Sequence, residues 1–233
     1  MTCDGEPFRF WIANQHTKAW WDKPVLPLNA EFRSLKQLCR PGSIVLDVGA
    51  HHGMDTVLLA RWTGASGHVY ALEANASNTL VLTANLGANK LVNCTALHAA
   101  VGPANGSIRV ADETVDEGDP LAQRVPMIAL DEFCRERNLR QVHLLKVDVE
   151  GYEAHVLQGA TQVLKARPAI ALELHLDLLA RYGSSAADVL RQIDLSAYDV
   201  TMMVRPDWET LRGFEGAAGL PAGGTVNLFF HPR

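Results

Sequence analysis

Two acidic residues and two glycines occur where an open α/β sheet binds a nucleoside. An apolar strand over residues 44–48 runs into a turn that contains Asp47, Gly49 and Gly53, and a second strand ends at Glu73. Glycines allow a tight turn and a close backbone approach to a ligand, and an acid on the next strand can accept ribose hydroxyls. The pattern therefore predicts a nucleoside cofactor site. Its predicted contacts are Asp47, Gly49, Ala50, Gly53, Glu73 and Ala74.

The chemistry of this turn favours a cationic cofactor without phosphates. The turn lacks the G-x-G-x-x-G spacing of dinucleotide sites, and the anion of Asp47 would repel a pyrophosphate. S-adenosylmethionine has a sulfonium and an ammonium that suit Asp47, and a ribose that suits Glu73. The alternative interpretation is that Asp47 only caps a helix and the glycines only form a turn.

A second group of ionisable residues follows two later strands. Lys146, Asp148 and Glu150 alternate along one strand and its extension, and Glu173 and His175 end the next strand. Alternate residues of a strand share one side, and open α/β sheets bind ligands at their carboxyl edge. A carboxylate beside another carboxylate can have a raised pKa and act as a general base. We therefore predict catalytic roles for Lys146, Asp148, Glu173 and His175.

Other roles for these residues stay open on the sequence alone. Asp148, Glu173 and His175 could instead bind a divalent cation such as Mg²⁺, or His175 could simply be packed. Lys146 and Glu150 could form a structural ion pair, and we expect Glu153 to start the next helix, where the helix dipole favours an acid. His51 adds an ionisable ring to the cofactor turn, and a surface role is favoured for it over a catalytic one.

Composition excludes several classes of function. The 233 residues are 48% hydrophobic and carry a net charge of −5, with no cluster of basic residues for nucleic acid. The four cysteines are far apart, which argues against a zinc site or a disulfide framework. No apolar stretch has the length of a membrane span, so we expect a soluble, cytoplasmic protein that does not bind membranes. Oligomeric state is not predicted.

The elements that must position these residues alternate between strand and helix. We predict a lead-in segment over 1–29 and one domain over 30–233. The domain should be of the α/β class, with a mostly parallel sheet covered by helices on both faces. The last two strands, 198–204 and 226–230, should form an antiparallel pair at one edge. The Gly, Asp and Glu content of segment 102–124 indicates a hairpin or a mobile loop, and we predict one helix over residues 154–166.

Three segments together resemble the FkbM family of S-adenosylmethionine-dependent methyltransferases. They are Leu46-Asp47-Val48-Gly49-Ala50-His51-His52-Gly53, Ile128-Ala129-Leu130-Asp131 and Leu145-Lys146-Val147-Asp148-Val149-Glu150-Gly151-Tyr152-Glu153. The resemblance implies the class I methyltransferase fold, a Rossmann-like seven-stranded sheet with a reversed last strand. It assigns Asp47, Gly49 and Gly53 to the cofactor turn and Glu73 to the ribose. The chain departs from the family pattern at two positions: it has His51 where the family often has Asn, and Ala74 where the family commonly has Pro.

The leading functional hypothesis is methyl transfer from S-adenosylmethionine to a hydroxyl oxygen of a small molecule. The resemblance implies acceptors such as polyketides, sugars and other natural products. One alternative is a nicotinamide-dependent oxidoreductase, which would use the same strand, turn and ribose acid, although Asp47 disfavours it. Another is a protein that binds the cofactor without catalysis.

Overall fold

Seven strands form the central sheet of the computed structural model, which describes residues 1–111, 114–116 and 118–233. In chain order they are β1 (Ile44–Val48), β2 (His68–Glu73), β3 (Cys94–His98), β4 (Leu144–Val147), β5 (Ala169–His175), β6 (Tyr198–Val204) and β7 (Thr225–Pro232).

The strands lie in the order β3-β2-β1-β4-β5-β7-β6, and only β7 runs against its neighbours β5 and β6. This confirms the mostly parallel sheet, the reversed last strand and the antiparallel pairing of the last two strands. The last strand, β7, lies between β5 and β6, and β6 lies on the side of β7 toward the sheet edge. This position fits the apolar residues of β7, which are buried on both faces of the sheet. A two-residue strand, Arg212–Gly213, extends the sheet beyond β6.

The order of strands reverses between β1 and β4, which pair in parallel. The chain adds strands on one side of β1 and then returns to add β4 and β5 on the other side. A crevice forms at the carboxyl ends of the strands at such a switch point, and ligands bind there in open α/β sheets. Both groups of predicted site residues lie at this edge, at the ends of β1, β2, β4 and β5.

Helices cover both faces of the sheet. The eight α-helices of the described residues are α1 (Gln15–Trp21), α2 (Ala30–Leu38), α3 (Met54–Thr63), α4 (Ala76–Ala88), α5 (Leu130–Glu136), α6 (Glu153–Gln158), α7 (Thr161–Lys165) and α8 (Ala186–Leu190). In β1, Val45 packs into the apolar cluster with α2, α3 and α4, whereas Leu46 and Val48 pack into the cluster with α5 to α8. None of the helices described is both long and apolar enough to cross a membrane.

The prediction of one helix over 154–166 is wrong, because two helices, α6 and α7, occupy this segment. A Cβ atom at Gly159 would lie 2.1 Å from the carbonyl oxygen of Gly102, so the chain passes very close to another segment at this point. The carboxylate of Asp131 then accepts the N–H groups of Gln162 and Val163 at 2.9 and 3.0 Å. Asp131 thereby caps a new helix instead of allowing the first one to continue.

Segment 102–124 contributes to a hairpin, which was one of the two predicted outcomes. Strands Gly106–Ala111 and Gln123–Ile128 pair antiparallel in a second, four-stranded sheet. Residues 112, 113 and 117 of this segment lie outside the described residues. The N-terminal residues form a third sheet from the short strands Thr2–Cys3, Glu6–Pro7 and Val25–Leu26.

Candidate functional site

The glycines of the cofactor turn are required by close packing within the protein. Gly49 and Gly53 have φ angles of 81° and 84°, where residues with a Cβ atom are strained. A Cβ atom at Gly49 would lie 1.6 Å from the carbonyl oxygen of Asp148, and one at Gly53 would lie 2.4 Å from Cδ1 of Leu82. The turn after β1 therefore touches the backbone that follows β4. This contact brings the two predicted groups of site residues together.

Glu73 is a nearly buried carboxylate that faces the same turn. Its Oε2 accepts the N–H of His51 at 2.7 Å, and its Oε1 accepts the N–H of Asn75 at 2.8 Å. The two bonds orient the carboxylate toward the turn. Ala50 is buried in the turn. Ala74 is partly buried and packs against the apolar residues of the four-stranded sheet.

Asp47 is fully enclosed by protein. Its Oδ2 accepts the hydroxyl of Thr56 at 2.6 Å, and its Oδ1 lies 3.5 Å from Nζ of Lys146. Burial raises the pKa of Asp47, and the ammonium of Lys146 opposes this effect. Asp47 is therefore a buried acid beneath the turn, bonded to Thr56 and close to Lys146.

Lys146 lies among three carboxylates. Its Nζ is 3.1 Å from Asp55, 3.5 Å from Asp47 and 3.5 Å from Asp148. Burial would lower the pKa of Lys146, but the carboxylates outweigh burial and raise this pKa well above its usual value. Sequence reasoning missed Asp55. Its position in the first turn of the helix that follows the glycine turn was the signal that could have identified it.

Asp148 is the most accessible acid on Lys146, with 29% of its side chain exposed. Burial would raise the pKa of Asp148, but the cations of Lys146, His175 and Arg205 outweigh burial and hold this pKa below its usual value. Asp148 is therefore a carboxylate at neutral pH, at the rim of the site.

His175 is surrounded by carboxylates on both ring nitrogens. Nδ1 lies 2.9 Å from Oε1 of the fully buried Glu153, while Nε2 lies 3.4 Å from Glu150, 3.5 Å from Glu173 and 4.0 Å from Asp148. Burial would lower the pKa of His175, but the Glu153 hydrogen bond and the other carboxylates raise it to about 9. His175 is thus an imidazolium at neutral pH. Glu153 begins α6, as expected, and also orients the histidine.

Two residues that sequence reasoning did not select, Arg205 and Asn227, hold Glu173. Nη2 of Arg205 lies 2.6 Å from Oε2 of Glu173, and Asn227 donates to the same oxygen at 3.1 Å. Both also approach Oε1 of Glu31 on α2, at 3.6 and 3.3 Å. Burial raises the pKa of Glu173 to about 7 and that of Glu31 to about 8. Asn227, a polar residue inside an apolar strand, was the one visible signal in the sequence.

The predicted catalytic residues therefore converge, and the cluster has more acids than bases. The cations are Lys146, His175 and Arg205, and the acids are Glu31, Asp47, Asp55, Asp148, Glu150, Glu153 and Glu173. Such a cluster suits a cationic ligand, a proton transfer from a hydroxyl, or a divalent cation. His51 lies apart on the turn, where its ring stacks on His52 at 4.2 Å.

Comparisons with known proteins agree with this geometry. Residues 47–199, more than half of the chain, match the Methyltransferase FkbM domain family. Similar structures include an FkbM methyltransferase from Methylobacillus flagellatus KT, at 18% identity and a TM-score of 0.53 over 82% of this chain. This chain covers only 44% of that protein. No curated protein matches this sequence.

Two further structures show the same fold. The precorrin-6y C5,15-methyltransferase from Geobacter metallireducens GS-15 is 14% identical with a TM-score of 0.52, over 99% of this chain and 96% of its own. A methyltransferase-like protein from Streptococcus mutans, solved in complex with S-adenosylhomocysteine (SAH), is 11% identical with a TM-score of 0.51. The match covers 85% of this chain and 93% of that protein.

Proposed function

The chain belongs to the FkbM family of S-adenosylmethionine-dependent methyltransferases, and from that premise we propose that it methylates a hydroxyl oxygen of a small molecule. One observation carries the proposal. The backbone of Asp148 touches Gly49 of the cofactor turn, while the carboxylate of Asp148 is partly exposed and held ionised by Lys146. We infer that this carboxylate is a proton acceptor beside the turn that would hold the methyl donor.

The chain has residues that fit S-adenosylmethionine at the turn. Glu73 is oriented by two backbone amides and would accept the ribose hydroxyls. Gly49 and Gly53 let the turn pack closely against Asp148 and Leu82. The turn so shaped would present its backbone to the cofactor at Ala50, with Ala74 beside it. Asp47 is enclosed, so we assign it a positioning role through its hydrogen bond to Thr56 and its ion pair with Lys146, and not a direct contact with the cofactor. When bound, the cofactor supplies an electrophilic methyl group on a sulfonium.

Asp148 has the central role in the proposed reaction. It accepts the proton of the acceptor hydroxyl as the oxygen attacks the methyl carbon, so that an O–C bond forms, the S–C bond breaks and SAH leaves. The positive charges of Lys146 and His175 offset the negative charges of the carboxylates around them. Since His175 is already protonated at neutral pH, it is suited to donate a hydrogen bond to the acceptor oxygen. Glu173, with a pKa of about 7, is placed to exchange a proton with the same ring.

A divalent cation such as Mg²⁺ is the alternative role for this cluster, because binding it would displace the Nε2 proton of His175 and replace the hydrogen bond from His175 to the acceptor. Ligand atoms of Asp148, Glu173 and His175 lie within 4.8 Å of one another. Metal-binding histidines usually donate their other N–H to a carboxylate, as His175 does to Glu153 at 2.9 Å. A bound cation would orient an acceptor oxygen and increase its acidity. Calorimetric titration of Mg²⁺ and Mn²⁺ into the EDTA-treated protein tests this, with His175→Gln as the variant that should lose binding. If neither metal gives a heat of binding, the cation is removed from the proposal.

Transfer to oxygen is tested with methyl-labelled S-adenosylmethionine and a panel of hydroxylated polyketides, sugars and aromatic alcohols. We expect label in a methyl ether of at least one acceptor, detected by mass spectrometry, and loss of that product with Asp148→Asn. Label on nitrogen, carbon or RNA instead would contradict the proposal. The net charge of −5 supports a small acceptor over nucleic acid.

We also propose that the protein acts in the cytoplasm and does not bind membranes. Its four cysteines are free thiols in the structure, and Cys3, Cys39 and Cys134 are buried. Free thiols are typical of a reducing compartment. Localisation of a tagged full-length chain in its source cells tests this, and a membrane or secreted pool would contradict it.

A further inference from the structure

Two asparagine side chains fasten the lead-in segment, residues 1–29, to helix α4. Asn89 accepts the N–H of Arg9 at 3.0 Å and donates to the carbonyl of the same residue at 2.7 Å. Asn85, one helical turn earlier, accepts the N–H of Trp11 at 2.6 Å and donates to its carbonyl at 3.1 Å. Alternate residues of the segment are thus paired through their backbone groups, as they would be by a neighbouring strand.

Asn85 also reaches the cofactor turn. Its fully buried amide donates to the carbonyl of His52 at 2.8 Å. The preceding residue, His51, donates its N–H to the ribose acid Glu73. A single side chain therefore joins the lead-in segment to the turn, next to the amide that orients Glu73.

A second contact joins α1 to the same turn. The ring of Trp20 lies 6.1 Å from the ring of His51, which stacks on His52 at 4.2 Å. Trp20 keeps 42% of its surface exposed, so its ring is not needed to build the core. The lead-in segment thus meets both histidines of the turn, one through Asn85 and one through Trp20.

We propose that the lead-in segment is a cover of the cofactor site that tightens when the cofactor binds, with Asn85 and Trp20 as its positioning residues. A ligand on Glu73 and the turn restrains His51 and His52, and this restraint lowers the entropic cost of ordering the segment that rests on them. Coupling between two sites is reciprocal, so a loosened segment weakens cofactor binding. The proposal rests on the cofactor site alone and is independent of the acceptor.

Hydrogen exchange of the full-length protein, with and without SAH, tests the tightening. We expect SAH to slow exchange in residues 9–21. Trp20→Ala should reduce this protection and weaken SAH binding by at least about fivefold, the low end of usual coupling between sites. Trp11→Ala is the matched control, since Trp11 bonds to Asn85 through its backbone and its side chain is 63% exposed. This control should keep SAH affinity within about twofold of wild type.

A second pair of variants separates attachment to α4 from attachment to the turn. Asn85→Asp keeps the size of the side chain but removes the donor to Trp11 and His52, so both exchange protection and SAH affinity should fall. Asn89→Asp removes the donor to the carbonyls of Arg9 and Asn85 but leaves the bonds from Asn85 to Trp11 and His52. Exchange near residue 9 should therefore rise while SAH affinity stays near wild type. If Asn85→Asp does not fold, the tryptophan pair still decides the outcome.

The proposal is overturned if SAH leaves exchange in residues 9–21 of the wild type unchanged. It is also overturned if Trp20→Ala binds SAH as the wild type does, or no more weakly than Trp11→Ala does. None of these measurements uses an acceptor. Failure to find a methylated product would therefore count against the proposed O-methylation and not against the cover.

Discussion

Glu73 is the side chain whose removal should affect cofactor binding most directly. We expect Glu73→Ala to weaken SAH binding by about 1.5–3 kcal/mol, because charge-assisted hydrogen bonds to the ribose are lost. Glu73→Gln should have a smaller effect, since its carbonyl can still accept one backbone N–H. Calorimetric titration measures both, with circular dichroism to verify folding. An unchanged dissociation constant for the alanine variant would show that Glu73 is not the ribose ligand.

Asp148 should matter for turnover more than for cofactor binding. Its carboxylate is exposed at the rim and ionised by Lys146, so Asp148→Asn should lower kcat by about 10²–10⁴-fold. The dissociation constant for SAH should change little. The matched control is Asp194→Asn, which removes a surface carboxylate that is paired with Arg167 at 3.1 Å. Full turnover in Asp148→Asn would mean that this residue is not the proton acceptor.

At the scale of elements, the contact between the turn after β1 and the backbone after β4 is the tightest constraint on the site. Gly49→Ala should lower the free energy of unfolding by at least about 2 kcal/mol, because positive φ and overpacking each cost about 1–3 kcal/mol. Gly87→Ala is the control, because Gly87 lies within α4 and a Cβ atom there meets nothing within 4 Å. This control should stabilise the protein by about 0.5–1 kcal/mol. Urea unfolding measures both changes.

Strand pairing also explains why the charged cluster forms where it does. Lys146 of β4 lies opposite Asp47 of β1, and Glu173 of β5 lies opposite Asn227 of β7. These residues come from four strands, and helices α2 and α3 add Glu31 and Asp55. The alternation along each strand was visible in the sequence, but the pairing between strands was not.

For the whole molecule, the raised pKa of His175 predicts a pH-dependent stability. Because its pKa rises from 6.5 to about 9 on folding, the folded state binds the proton more tightly. This stabilisation is complete below pH 6.5 and is lost as the pH rises through about 9. Wild type should therefore lose about 3 kcal/mol of unfolding free energy in this window relative to His175→Gln, since one pKa unit corresponds to about 1.4 kcal/mol.

Urea unfolding of both proteins at a series of pH values, in EDTA, measures this difference. The pKa of Glu173 shifts in the same direction, from 4.5 to about 7, so the stability linked to its proton is lost as the pH rises from about 4.5 to about 7, below the window of His175. Parallel stability curves for the two proteins above pH 6.5 would contradict the assignment of His175 as an imidazolium.

Local sequence determined the strands, the glycine turn, Glu73 and the family motifs. Each depends on residues close together in the chain: apolar runs that suit strands, glycines that adopt positive φ, and an acid at the end of a strand. The same pattern was sufficient to predict an α/β sheet with a reversed last strand, and to place Asp148, Glu173 and His175 at one edge of it.

Only the tertiary structure decided the partners of these residues. Arg205 and Glu31 are distant in the chain from Glu173, and Asn85 is distant from both Trp11 and His52, so no local period relates them. The division between α6 and α7 likewise depends on Gly102 and Asp131, which lie outside that segment. The physical reason is that these contacts arise from strand order and register, which bring remote segments together, and the charge state of a buried group depends on all the neighbours so assembled.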